Sequence, residues 1–390
     1  MLSRFVTALL FCWPTIMLAQ VTGRFYLEKE TFAVGEPVFL YFEMTNSGTE
    51  TQNVHRADPY SFCSGYQIHV STDLSPHSSC GPMTAGGSCA SSEAPLGPGK
   101  TRTERILLNY EHKINAPGDY EVQAEIHLPY ASADLEYFKA TKTSLDVRDY
   151  LRFRVDQNAR PADITLEAWV ELLHSPEAAT RREAARTLAS LAPKSLEDTL
   201  MDFANNAEFR EWAPLAFHRL NTDRSLEGLA GLLRKTEPNE DTQSARYLGE
   251  SGDPEWFPLL LEVAKKHVND GAYVYPAAES GGGQALPFLV PLLRSADHEY
   301  TRPIAISALG HTGSPAAIPI LLELLRSPDF ATAERALYGL RALTHRTAGG
   351  DVSNLNPQSQ YPMWAKWWTR EGSHAHIYKA NECGEFKPLE

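Results

Sequence analysis

The sequence predicts a two-domain chain, all-β then all-α: a β-sandwich over residues 24–155 followed by an α-solenoid over residues 160–345. Two patterns and a length predict it. The first part alternates apolar and polar residues like half-buried strands, and one apolar quartet then recurs six times at helical spacing. At 390 residues the chain is also long for one hydrophobic core and comfortable for two.

The best-defined strand places Val38, Leu40, Phe42 and Met44 on one face and Phe39, Tyr41 and Glu43 on the other. Turn chemistry flanks it, Gly35-Glu36-Pro37 before and Asn46-Ser47-Gly48 after. Further strands are expected at Tyr66–Thr72, Thr101–Leu108, Tyr120–Leu128, Tyr137–Val147 and Tyr150–Val155. The Gly/Ser-rich tract from Cys80 to Gly99 reads as a long edge loop.

The helical quartets start at Leu166, Leu196, Leu226, Phe257, Leu286 and Ile318, in steps of 30, 30, 31, 29 and 32. Each is spaced i, i+3, i+4, i+7, as in Leu166, Trp169, Val170 and Leu173. A second helical stretch lies between quartets at Ala185–Leu188, Ala245–Leu248, Ile306–Leu309 and Leu337–Leu340. A helical pair this short cannot bury its own apolar face, so neighbours must stack. Turns such as Gly249-Glu250-Ser251-Gly252-Asp253-Pro254 close the units: glycine for the helix end, proline for the next first turn. Residues 346–390 read as a cap and tail, with Trp364, Trp367 and Trp368 covering the last repeat.

Two resemblances follow from these residues. Pro117-Gly118-Asp119-Tyr120 delivers a tyrosine into a strand and looks like the tyrosine corner of immunoglobulin-like sandwiches. With Val34-Gly35-Glu36-Pro37-Val38, it resembles bacterial extracellular immunoglobulin-like modules, some of which are similar to a proteinase-inhibitor sandwich. The turn and helix at Leu248–Leu260 and again at Leu309–Leu322 resemble short bacterial HEAT repeats, which implies an array that binds other proteins.

Arg4, the uncharged run Phe5–Leu18 and the small Ala19 read as an export signal over residues 1–19. A bilayer span needs about 20 apolar residues, so no membrane span is expected once the signal is removed. Export places the chain in a periplasmic or extracellular, oxidising compartment. Cleavage removes Cys12 and leaves Cys63, Cys80, Cys89 and Cys383. Cys80 and Cys89 close a short ring at small entropic cost, so a Cys80–Cys89 bridge is favoured, with Cys63 and Cys383 left open. Zinc is the rival reading, although no cysteine pair has finger spacing.

The net charge of −13 argues against nucleic acid and against an anionic membrane surface as partners. His298-Glu299 is the single His-Glu pair, too few for the diiron hydroxylases built on similar repeats. The bilin lyase-like proteins of the same repeat suit an exported chain poorly. His374 with His376, His69 with His77, and Cys63 read as solvated or structural residues. No catalytic residues, metal ligands or cofactor-binding residues are assigned.

The fourth repeat is irregular: Pro276 falls inside its second helix, where it should kink or shorten it, and Gly281 to Gly283 should loosen the turn. Tyr273, Tyr275 and Glu279 are the groups this break should present to a partner. The expected function is that of a non-enzymatic exported protein-binding platform, whose acidic surface suits a basic partner. The alternatives are a protease inhibitor acting through the Cys80–Cys89 loop and an enzyme with an unfamiliar site. Carbohydrate binding through Tyr60, Phe62 and Tyr66 is a weaker third.

Overall fold

Among the described residues, nine strands and then thirteen α-helices follow one another, with a small parallel pair, Arg346–Thr347 beside Lys387–Pro388, near the C-terminal end. The computed structural model describes residues 21–57, 60, 65–72, 91–132, 143–159, 166–235, 241–297, 299–347, 356–372, 374–379, 382 and 387–389. The export signal and all five cysteines, including the Cys80–Cys89 bridge, lie outside the described residues. So do Phe62, His77 and His298.

The strands are β1 (Val21–Leu27), β2 (Thr31–Ala33), β3 (Phe39–Asn46), β4 (Gln52–Ala57), β5 (Tyr66–Thr72), β6 (Ser91–Leu96), β7 (Thr101–Leu107), β8 (Gly118–Ser132) and β9 (Thr143–Asp156). They form two sheets, β1-β3-β7 and β2-β9-β8-β4-β6, with β5 also paired to β8. The 15-residue β8 serves both partners: its start pairs with β5 and its end with β4. Val38, Leu40, Phe42 and Met44 are buried together with Tyr120, Val122, Phe153 and Val155 from the other sheet. The Tyr120 hydroxyl donates to the Ala116 carbonyl at 2.8 Å, the upstream bond of a tyrosine corner.

Two strand expectations are corrected. The Cys80–Gly99 tract is not loop throughout, because β6 runs along the edge of the larger sheet beside β4. The strands expected at Tyr137–Val147 and Tyr150–Val155 are one strand, β9, over its described length. Asp149 interrupts the apolar alternation there, yet its carboxylate accepts the Phe25 N–H at 2.8 Å and ties the two sheets together.

The helical region opens with α1 (Leu166–Leu172) and α2 (Ala178–Leu191), then α3 (Glu197–Met201) and α4 (Ala213–Leu220). It continues as α5 (Asp223–Lys235), α6 (Thr242–Glu250), α7 (Phe257–Lys266) and α8 (Gly271–Gly281). Then come α9 (Leu286–Leu292), α10 (Thr301–His311), α11 (Ala317–Leu325) and α12 (Phe330–Thr344). The odd-numbered helices carry the six quartets, and each packs on the even-numbered helix after it. Gly252 and Gly313 take φ of +65° and +57° in the turns, as the glycine spacing requires.

Even-numbered helices also pack directly on one another from α2 to α12, whereas α1, α3, α5, α7, α9 and α11 make no comparable contacts with one another. The array therefore curves with α2, α4, α6, α8, α10 and α12 on its inner side. A last helix, α13 (Tyr361–Glu371), packs on α11 and buries Trp364 and Trp367, while Trp368 is partly buried.

The sandwich and the array share a joint. Phe39 and Leu107 leave the sandwich core and are buried among helical residues, with the Phe39 ring 6.1 Å from Trp169. Arg105 covers Phe39 at 4.4 Å and pairs with Glu183. Arg186 lies between the rings of Tyr60 and Trp212, at 4.1 and 4.7 Å. Arg219 donates to the carbonyls of Asn109 and Tyr110 at 3.4 and 3.1 Å. The aromatic outer face of β3 is thus a docking face.

Candidate functional site

The inner helices bring together residues that lie about one repeat apart in sequence. Near the C-terminal end of α4, His218 stacks on Tyr247 of α6, ring centroids 4.2 Å apart, and sits 3.8 Å from the Glu250 carboxylate. Three repeats on, His311 at the end of α10 stacks on Tyr275 of α8 at 4.6 Å and 3°. Its Nδ1 lies 2.7 Å from the Glu279 carboxylate. At the last turn, His345 stacks on Tyr378 of the tail at 3.8 Å and 1°. Glu382, which is 2.6 Å from His376, adds its charge near His345.

Three histidine–tyrosine–glutamate clusters therefore follow the C-terminal ends of the inner helices. The side chains of His218, Glu250 and His311 are 29%, 21% and 29% exposed, so the row is accessible yet partly shielded from water. The sandwich closes one end of this row. The tail closes the other, where the Tyr378 N–H donates to the Leu343 carbonyl at 2.8 Å.

Of the residues expected in the irregular fourth repeat, Tyr275 and Glu279 belong to this row. Tyr273 does not: it is 2% exposed and packs against His267, so it presents nothing to a partner. Nor does Pro276 shorten α8, which runs unbroken through it. Gly249 of α6 explains the tolerance, because a Cβ there would stand 2.7 Å from the Pro276 Cβ. The bare glycine admits the ring. The carbonyl that loses its donor is that of half-exposed Ala272, within reach of water. The following turn is not loosened either: Gly281 lies flat under the Phe257 ring and Gly282 takes φ +53°.

The other candidates are dispersed. Tyr60 serves the joint, and Tyr66 is held in the sandwich core with its hydroxyl on Glu104 at 2.5 Å, so neither offers a face to a sugar. Among the described residues, no three His, Cys, Asp or Glu side chains converge as a metal site. Ser144, His127 and Asp146 do meet on the outer sheet, but Ser144 and Asp146 both reach the same Nδ1. The serine donates to the aspartate at 2.8 Å. A hydrolytic triad needs serine on the opposite ring nitrogen, so this cluster has no nucleophile.

At the joint, burial, then Arg219, Lys113 and Arg246, lower His218 to about 4 from 6.5. Burial, then His69 and Arg219, lower His112 likewise to about 4. Both values lie below those of the unfolded chain, so between pH 6.5 and 4 the unfolded chain binds more protons. This contribution to stability is complete above pH 6.5 and is lost as pH falls through 4. Urea midpoints at about pH 7.5 and about pH 4.5 should show His218→Gln losing less on acidification than the parent. Equal losses would remove His218 from the acid response.

The model of HEAT repeats matches residues 166–247 and 271–341, so the helical region contains HEAT repeats, preceded by the sheet region. No curated protein sequence matches the chain. Among solved structures, a β-glucosidase from Listeria innocua is 14% identical with a TM-score of 0.15, covering 35% of this chain and 16% of its own. Native α-2-macroglobulin of Escherichia coli is 12% identical with a TM-score of 0.20, covering 89% and 26%. Salmonella α-2-macroglobulin reacted with methylamine is 12% identical at 0.17, covering 89% and 27%. This chain spans a minor part of each, and likenesses this slight carry no argument about its activity.

Proposed function

We propose that this protein is a non-enzymatic scaffold that grips a protein partner along the inner face of its HEAT array, in the cell envelope or outside the cell. HEAT repeats commonly mediate protein interactions, and stacked hairpins offer one long surface for an extended partner. The observation that carries the reading is the row of histidine–tyrosine–glutamate clusters on that face. Each pairs a flat ring with hydrogen-bonding groups, the mixture on which protein interfaces concentrate their binding energy. The sandwich, which we read as immunoglobulin-like on the strength of the Tyr120 corner, fixes one end of the groove. Export rests on the Arg4–Ala19 leader.

In-cell crosslinking of the exported chain, followed by identification of what is attached, tests the reading. The double variant Tyr275→Ala/Glu279→Gln deprives His311 of both its neighbours while leaving the buried stripe intact. Capture of the partner should fall about tenfold or more, with an unchanged circular dichroism spectrum. Undiminished capture would remove the inner face from the function.

A further inference from the structure

The outer face of the larger sheet carries an opening of its own. Strand pairing sets Gln67 of β5 beside Glu125 of β8, and Glu125 beside Arg148 of β9. His127 with Asp146 and Gln123 with Tyr150 are the neighbouring pairs on the same face, because every second residue of a strand points one way. A depression of about 320 Å³ lies there, lined chiefly by Gly65, Gln67, Glu125, His127, Asp146 and Arg148. Gly65 takes φ +78°, and a Cβ on it would stand 2.7 Å from the His127 carbonyl oxygen. Only glycine fits at that wall.

Each carboxylate in the depression already has its partners. Arg148 binds Glu125 at 2.7 Å, and the Gln123 amide donates to the same carboxylate at 2.6 Å. Asp146 holds His127 at 2.6 Å and accepts the Ser144 hydroxyl at 2.8 Å. An ion entering here has to break a pair. A neutral polyol need only use what the pairs leave over: further guanidinium N–H groups, the second imidazole nitrogen and both ends of the Gln67 amide. Two residues along β9 from Arg148 stands Tyr150, 69% exposed and buried against nothing. The face of such a ring attracts the weakly positive C–H groups of a sugar ring laid flat on it.

We propose that this face is a binding site for a neutral, hexose-containing polysaccharide. One sugar unit fills the depression, where its hydroxyls meet Gln67, Arg148 and His127, and the next unit lies on Tyr150. Paired charges and amides supply donors and acceptors side by side, which is what a ring of hydroxyl groups requires. The site belongs to the sandwich alone and does not rest on the scaffold reading. It leaves the inner face of the array free while the sandwich holds a glycan.

Native electrophoresis of the full chain tests the site, through gels containing dextran, laminarin, mannan or galactan, all neutral, or the anionic alginate. At least one neutral glycan should slow the parent protein. Tyr150→Ala should need about ten times as much of that glycan for the same retardation. Gln67→Ala, also exposed, should weaken binding as well and covers the case in which Tyr150→Ala misfolds. Tyr338→Ala, which removes an exposed tyrosine from α12 instead, should change nothing. An unchanged thermal midpoint shows that each variant keeps its fold. Free passage through all four neutral gels, retardation by alginate alone, or the same effect from Tyr150→Ala and Tyr338→Ala would each overturn the proposal.

Discussion

Replacing Trp364 by alanine should destabilise the end of the array by about 3–5 kcal/mol, the cost of emptying a large aromatic site in a core. Trp364 is fully buried, 5.9 Å from the Trp367 ring, and belongs to the helix that covers α11. Its indole N–H is buried without a partner, so truncation also relieves one unmet donor and the loss falls toward the lower figure. Urea denaturation gives the size, and hydrogen exchange gives the place: α11 and α12 should lose protection before α4 and α6 do. A Trp364→Ala protein with an unchanged midpoint would mean that α13 is ornamental to the array.

The second large effect is expected at Gly310. A Cβ built there stands 2.7 Å from the Gly339 Cα, so α10 and α12 meet backbone to backbone and Gly310→Ala must push them apart. Overpacking of this kind costs about 1–3 kcal/mol, which outweighs the roughly 1 kcal/mol that alanine gains over glycine in a helix. Gly339→Ala is the control. Its Cβ would meet the Leu321 methyls at 3.1 and 3.2 Å, which can yield, so its penalty should be the smaller. The reverse order of thermal midpoints would refute this account of the contact.

These two sites also show why some of the fold was legible and some was not. The six odd-numbered helices from α1 to α11 are visible as quartets because each presents large residues, Leu229 and Leu233 for example, to one side only. The inner helices were harder to see. Where they touch they carry alanine and glycine, as at Gly249, Gly310 and Gly339, and small residues leave little periodic signal. Strands β1, β2, β4 and β6 do not stand out in the sequence, β6 because it is a short edge strand at the end of a Gly/Ser-rich tract.

The site was less legible than the fold. Tyr275 and Glu279 stood out through the proline beside them, but Tyr273 was misplaced because helical spacing alone does not say which side of α8 faces inward. His218, His311 and His345 carry no local signal in the sequence, since each finds its tyrosine only when the chain is folded. The available signal was the repeat period itself: His218 and Tyr247, or Tyr275 and His311, are separated by close to one unit. The joint had a signal too. Phe39 and Tyr41 occupy the β3 face that an isolated sandwich would give to water.

The sharing of Phe39 and Leu107 with Trp169 has a consequence for assembly. A helical stack normally leaves a greasy terminal plate at each extremity, onto which another molecule can add like a brick in a column. Here one extremity is sealed by a folded sheet module and the other by a tryptophan-bearing lid. Growth of a filament by end-to-end addition is thereby blocked, and whatever joins this molecule must approach it from the flank.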